Sequence, residues 1–297
     1  MLPHDIALGP VVFNLYGLMV ALGVSLGLLT LKISAPLAGE SFTDAFNLGF
    51  KLVIAGLVGA RLAYVATHFG SFIKRPAEIL MYWQGGLMFQ GGLLAGVLLA
   101  LTLAASGRIR LLPMGDALAP ALALGQGIGR LGCLMAGCCY GRPAPRFLGL
   151  TFPRASQAPW GIPLYPTQAM ESLALLLLAL FLVLSLKARP ARPALIGPGP
   201  LTPPAPEPDA PPKKSRTEGL ALSYYLVATG VIRLFIEYFR GDDRGPRVFL
   251  GLRLTGLCAF LIATAGLGLY LYLRRPPGPR QQSRGRTRRP WLRRFHS

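Results

Sequence analysis

The chemistry of this chain can be sought first at Arg130, which stands in Gly125-Gln126-Gly127-Ile128-Gly129-Arg130-Leu131-Gly132-Cys133-Leu134-Met135-Ala136-Gly137-Cys138-Cys139-Tyr140-Gly141, a run otherwise apolar or small enough to lie in lipid. A central arginine costs about 2.5–3.5 kcal/mol to insert into a bilayer on translocon scales, so it faces a carboxylate, a water-filled cavity or an anionic ligand. A second constellation, Arg233, Glu237 and Arg240, is spaced by four and three on one helical face. It reads as an internal Arg–Glu ladder. It also reads as a net-positive site for an anion such as a lipid phosphate, because two arginines share one carboxylate and Arg130 adds a third cation. Cys133, Cys138 and Cys139 follow Arg130 directly. Nearby arginines would lower the Cys138 thiol's pKa and make it a nucleophile or proton acceptor; small, well-packed residues or a disulfide are the plainer readings of the three. Tyr16 reads as an interfacial anchor or as part of a head-group pocket, and Arg61 as a side chain snorkelling to phosphate. Gln90, between Gly85-Gly86 and Gly91-Gly92, bridges two helices or meets a ligand.

The elements that must position these residues follow from composition. The chain has 297 residues, 52% hydrophobic and 14% charged, with a mean hydropathy of +0.47. Soluble domains carry about 25% charged residues, so this is an integral membrane protein. Apolar windows predict an all-α membrane fold of about seven transmembrane helices, at 11–31, 44–67, 86–105, 115–137, 165–186, 219–239 and 249–273. Asp116 with Pro120 reads as the start of the fourth helix. Thr167 and Glu171, after Pro166, read as capping the fifth. Gly125, Gly129 and Gly132 share a face that lets another helix approach closely.

An odd number of spans puts the termini on opposite sides. The net charge of +19 is dominated at the end of the chain by arginines from Arg274 to Arg294, which predicts a cytoplasmic C-terminus and an N-terminus outside. The same charge would suggest nucleic acid in a soluble protein, but here lipid head groups are the expected contact and no nucleic acid is expected. The polytopic domain is assigned to 1–273, with a proline-rich cytoplasmic linker at about 188–217 and a basic disordered tail at 274–297. No basic n-region precedes the first span, which is therefore expected to be retained. Four cysteines without paired CxxC spacing or partnering histidines predict neither a disulfide scaffold nor a metal site.

Taken together, Tyr16-Gly17-Leu18-Met19, Gly59-Ala60-Arg61-Leu62, Gly85-Gly86 through Gly91-Gly92, Asp116 with Ala119-Pro120, Gly129-Arg130-Leu131-Gly132, Tyr165-Pro166-Thr167-Gln168 with Glu171, and Arg233 through Glu237 to Arg240 make the chain resemble the prolipoprotein diacylglyceryl transferases. The resemblance covers most of the chain outside the linker and tail. It implies a seven-helix enzyme of the bacterial inner membrane, multi-pass, with its active site towards the outer face. Such an enzyme transfers the diacylglyceryl group of phosphatidylglycerol to the lipobox cysteine thiol of preprolipoprotein signal peptides and releases glycerol phosphate; no metal or cofactor is implied.

By that resemblance Arg130 and Arg233 are the catalytic arginines that hold the phosphate. Tyr16, Arg61, Cys133, Glu237 and Arg240 are substrate-binding. The chain departs from the family signature Gly-Asn-Phe-x-Asn-Gly-Glu: Cys133 and Ala136 stand for the asparagines and Cys138 for the glutamate, Gln90 stands where a histidine is common, and Tyr165 replaces the histidine before proline. Gln90 and Cys138 therefore occupy catalytic positions, and Gln90 cannot act as a general base. A divergent phospholipid-dependent transferase with another acceptor, or a catalytically silent phospholipid-binding protein, is the alternative these departures raise.

Overall fold

The computed structural model describes residues 5–8, 11–81, 85–154, 156–189, 217–242, 247–249 and 252–275. Most of the proline-rich linker and almost all of the basic tail lie outside the described residues. The helices are α1 (Leu15–Leu37), α2 (Phe42–Thr67), α3 (Phe69–Lys74), α4 (Phe89–Ala105), α5 (Leu111–Ala136), α6 (Thr167–Lys187), α7 (Leu220–Phe239) and α8 (Leu254–Arg274), with a 3-10 turn at Pro76–Leu80. Six are long and apolar enough to cross a membrane, and α4 is a shorter apolar helix of 17 residues. The architecture is thus an all-α membrane fold of about seven spanning helices. Apolar side chains cover its outer surface, for example Leu173, Leu177, Leu180 and Leu184 along α6, as lipid contact requires.

The first and last spans begin later than hydropathy predicts. Val11–Asn14 pairs with Asp5–Leu8 as an antiparallel hairpin (β1, β2), and Asn14 then caps α1 by accepting a hydrogen bond from Gly17 N at 3.2 Å. Arg247–Phe249 and Leu252–Arg253 (β3, β4) likewise pair before α8. These apolar residues satisfy their backbone in ladders rather than in helix, which hydropathy alone cannot distinguish.

Helix α5 is the centre of the bundle. Its Met114, Ala117 and Ala121 pack with Leu31 and Ala35 of α1 and Leu48 of α2; its Ala119 and Ala123 pack with Leu175 and Leu182 of α6 and Tyr225 of α7. Contact with α1 depends on small residues, since a β-carbon at Gly23 would stand 2.7 Å from Gly125 O and one at Gly132 would stand 3.0 Å from Met19 Cβ. Gly129 has nothing within 4 Å of such an atom, so only two of the three predicted glycines serve this approach. Polar ties add register: Ser34 Oγ donates to Ala117 O at 2.7 Å, Ser172 Oγ to Gly127 O at 2.8 Å, and Gln126 Nε2 to the Tyr225 hydroxyl at 2.6 Å. Helices α2 and α4 form a second close pair, a β-carbon at Gly59 standing 2.6 Å from Gly91 O.

Asp116 corrects the expected start of the fourth span. It lies inside α5, fully buried, and caps a different helix. Its Oδ2 accepts from Gly219 N at 2.9 Å and from Arg189 Nη1 at 2.7 Å, while Oδ1 accepts from Leu222 N at 2.9 Å. These backbone donors open α7, where orphan N–H groups favour a carboxylate.

Candidate active site

At the opposite end of α5 from Asp116, three helices bring charged side chains together. Arg130 Nη2 of α5 lies 2.9 Å from Glu171 Oε1 of α6, and Arg233 Nη1 of α7 lies 3.4 Å from Glu171 Oε2. Arg233 Nη2 is also 3.6 Å from Glu237 Oε2, one turn along α7. Thr255 Oγ1 of α8 donates to Glu237 Oε1 at 3.4 Å. Glu171 is thus the shared carboxylate of two arginines, rather than the expected cap of its own helix. Thr167, read with it as a cap, instead donates from Oγ1 to Cys139 O at 2.8 Å.

A short backbone network holds the ends of these helices together. Gly141 N donates to Tyr165 O at 3.1 Å, Tyr165 N to Arg142 O at 3.0 Å, Arg142 N to Phe239 O at 2.8 Å, and Gly241 N to Tyr140 O at 3.1 Å. A β-carbon at Gly241 would stand 2.6 Å from Gly141 O, so only glycine permits this crossing. The segment after α5 is therefore fixed against the start of α6 and the end of α7. Arg240, expected on the helical face of Arg233 and Glu237, is instead the extended C-cap of α7; it turns into the protein and grips Asp242 with both arms of its guanidinium, at 2.8 Å from Nε to Oδ1 and 2.6 Å from Nη2 to Oδ2. The Cys139 side chain lies beside the same guanidinium. Gln168 Nε2 donates to Cys138 O at 2.7 Å.

The expected charge imbalance is not found. Among the described residues Arg130, Arg233 and Arg240 meet Glu171, Glu237 and Asp242, so their formal charges balance. Setting three arginines against Glu237 alone omits one carboxylate from α6 and one just beyond the α7 terminus. What remains is an excess of donors: each guanidinium carries five N–H groups. Arg130's ion pair with Glu171 occupies only part of its fork, and the two pairs of Arg233 are long. An anion can therefore be bound by sharing these donors, with no need for net positive charge.

The other expected site residues fall in different places. Tyr16 opens α1 half-exposed, its ring against Gly132 and within electrostatic range of Arg130 and the three cysteines. Cys133 is buried in the last turn of α5, and the Cys138 and Cys139 thiols converge on it. Hydrogen bonds with the Cys133 and Cys139 side chains, together with burial, hold the Cys138 thiol well above its ordinary pKa, opposite to the lowering expected from the arginines. Gln90 is exposed at the start of α4, in the α2–α4 pair.

Arg61 does not join the Arg130 cluster. Its Nε donates to Ile79 O at 2.9 Å, Nη1 to Gly85 O at 2.6 Å and Gly86 O at 3.0 Å, and Nη2 to Glu78 O and, at 3.3 Å, to Met81 O. The snorkelling arginine is a clasp for the segment between α3 and α4. Sequence reasoning missed Asp242 and the pairing of Glu171; a carboxylate one turn inside a span was the available signal for the second.

A polytopic membrane protein that gathers partly buried arginines around a shared carboxylate is a candidate for binding an anionic group. The family described as prolipoprotein diacylglyceryl transferase matches residues 3–272. A phosphatidylglycerol–prolipoprotein diacylglyceryl transferase of Methylibium petroleiphilum is 33% identical over 285 residues, covering 91% of this chain and 95% of the relative. The enzyme of that name numbered 2 in Clostridium perfringens is 30% identical over 256 residues, covering 86% and 89%; that of Nitrosomonas europaea is 31% identical over 264 residues, covering 86% and 82%. The chain belongs to the prolipoprotein diacylglyceryl transferase family.

Proposed function

We propose that this chain transfers the diacylglyceryl group of phosphatidylglycerol to the lipobox cysteine of preprolipoproteins, from the outer face of a bacterial inner membrane. The observation that carries the reading is the meeting of Arg130 and Arg233, from different helices, on Glu171; the relatives' names supply the donor and acceptor. In the reaction the carbon–oxygen bond between the diacylglyceryl group and the phosphate breaks and a carbon–sulfur bond forms. Thiol and phosphodiester become thioether and phosphate monoester, so the thiol proton ends on the phosphate or in solvent. Arg130 and Arg233 are assigned to the phosphate, where their donors stabilise the charge that grows as it leaves. Glu171 is a positioning residue that holds both forks in place.

Tyr16, beside Gly132, is assigned to the head group, and Arg240 and Glu237 to the polar wall that orients the arginines. The reading asks neither Gln90 nor Cys138 for a base: an amide takes no proton at neutral pH, and the Cys138 thiol is committed to its neighbours. Head-group selectivity tests the proposal. In mixed micelles with a lipobox peptide, phosphatidylglycerol is expected to yield thioether while phosphatidylcholine yields none. Equal yields from both, or a product only with a different acceptor, would overturn it.

A further inference from the structure

The three cysteines after Arg130 are not explained by lipid transfer, and their convergence has a chemistry of its own. Cys133 lies in the last turn of α5, Gly137 reverses the chain with φ of 65°, and Cys139 follows with φ of 61°, a left-handed conformation that side chains rarely adopt. The result folds Cys138 and Cys139 back over Cys133, with the three Sγ atoms within 4.8 Å of one another. Cys133 is buried and the other two are half-buried. Among the described residues no histidine or carboxylate joins this group.

We propose that Cys133, Cys138 and Cys139 form a site for a thiophilic d10 metal ion, with Cu(I) the best fit. A three-coordinate thiolate set with metal–sulfur bonds of about 2.3 Å has sulfurs about 4 Å apart, within a sub-ångström adjustment of the arrangement present. An all-sulfur donor set selects soft ions. Each thiol releases its proton to solvent on binding, and the resulting anionic thiolate cluster faces Arg130 and Arg240, both electrostatically coupled to these cysteines. Because the cluster faces residues assigned to the transfer reaction, metal binding itself, and not activity, is the readout.

The test uses the full chain in detergent, without oxygen, with Cu(I) maintained by ascorbate and held in competition with bicinchoninate. The protein is expected to withdraw one equivalent of copper, with sulfur as the only neighbour in its X-ray absorption spectrum. Cys133→Ser, Cys138→Ser and Cys139→Ser are each expected to weaken retention about tenfold or more, and Cys258→Ser to leave it unchanged. Copper left with the chelator, retention equal in the triple serine variant, or oxygen and nitrogen neighbours around copper in the unaltered protein would overturn the assignment. The last measurement needs no variant and so does not depend on a variant folding.

Discussion

Arg130 and Glu171 carry opposite risks when changed. Removing a donor from a developing phosphate charge costs about 10²–10³ in rate, so Arg130→Ala is expected to lower initial thioether formation by about that factor. Arg130→Lys is expected to recover little of it, because an ammonium lacks the planar fork. Glu171→Gln acts on stability as well: it leaves two partly buried guanidinium groups without their shared charged partner, a loss of about 1–3 kcal/mol, below that of a fully buried pair because both keep some solvent contact and Arg233 keeps Glu237. Its check is a fall in the thermal unfolding temperature in detergent. At this scale Arg130 was legible in the sequence because a charge in an apolar run demands a reason. Its partner was less so, because Glu171 is 41 positions away and meets Arg130 only through the packing of α5 on α6. Asp242 was hidden because α7 ends at Phe239 and Arg240 is its extended C-cap, so neither Arg240 nor Asp242 follows the helical spacing used to read that face.

The helices themselves were mostly legible, since runs of apolar residues long enough to span a bilayer leave few alternatives. The failures occurred where one element is completed by another. Asp116 looked like a local cap, yet its carboxylate closes the start of α7 and holds Arg189. Asp116→Ala is therefore expected to destabilise the protein by about 1–3 kcal/mol, seen as reduced hydrogen-exchange protection at the start of α7 while phospholipid selectivity is retained. Arg61 gives an element-scale prediction of another kind. Its donors hold the carbonyls of Glu78, Ile79, Met81, Gly85 and Gly86, so Arg61→Ala is expected to free the segment between α3 and α4. Limited proteolysis there is expected to become faster than in the unaltered protein, with cleavage elsewhere unchanged.

For the whole molecule, the basic loops and tail predict which face is cytoplasmic, and on that assignment the Arg130 cluster is expected at the outer end of the bundle. Phe147, in the segment joining α5 to α6, is strongly exposed at that end. A Phe147→Cys variant is expected to react with a membrane-impermeant maleimide added outside intact spheroplasts, and labelling only after lysis would reverse the assignment. The central claim joins this orientation to the chemistry: the arginine cluster makes glycerol phosphate leave as a thioether forms. Its most direct test is to incubate the purified protein with phosphatidylglycerol and a lipobox peptide and to follow both products together, by peptide mass and by released glycerol phosphate. Equal amounts of thioether peptide and glycerol phosphate, both lost in Arg130→Ala, are the predicted result. Phosphatidylglycerol retained by the unaltered protein with the peptide's mass unchanged would contradict it.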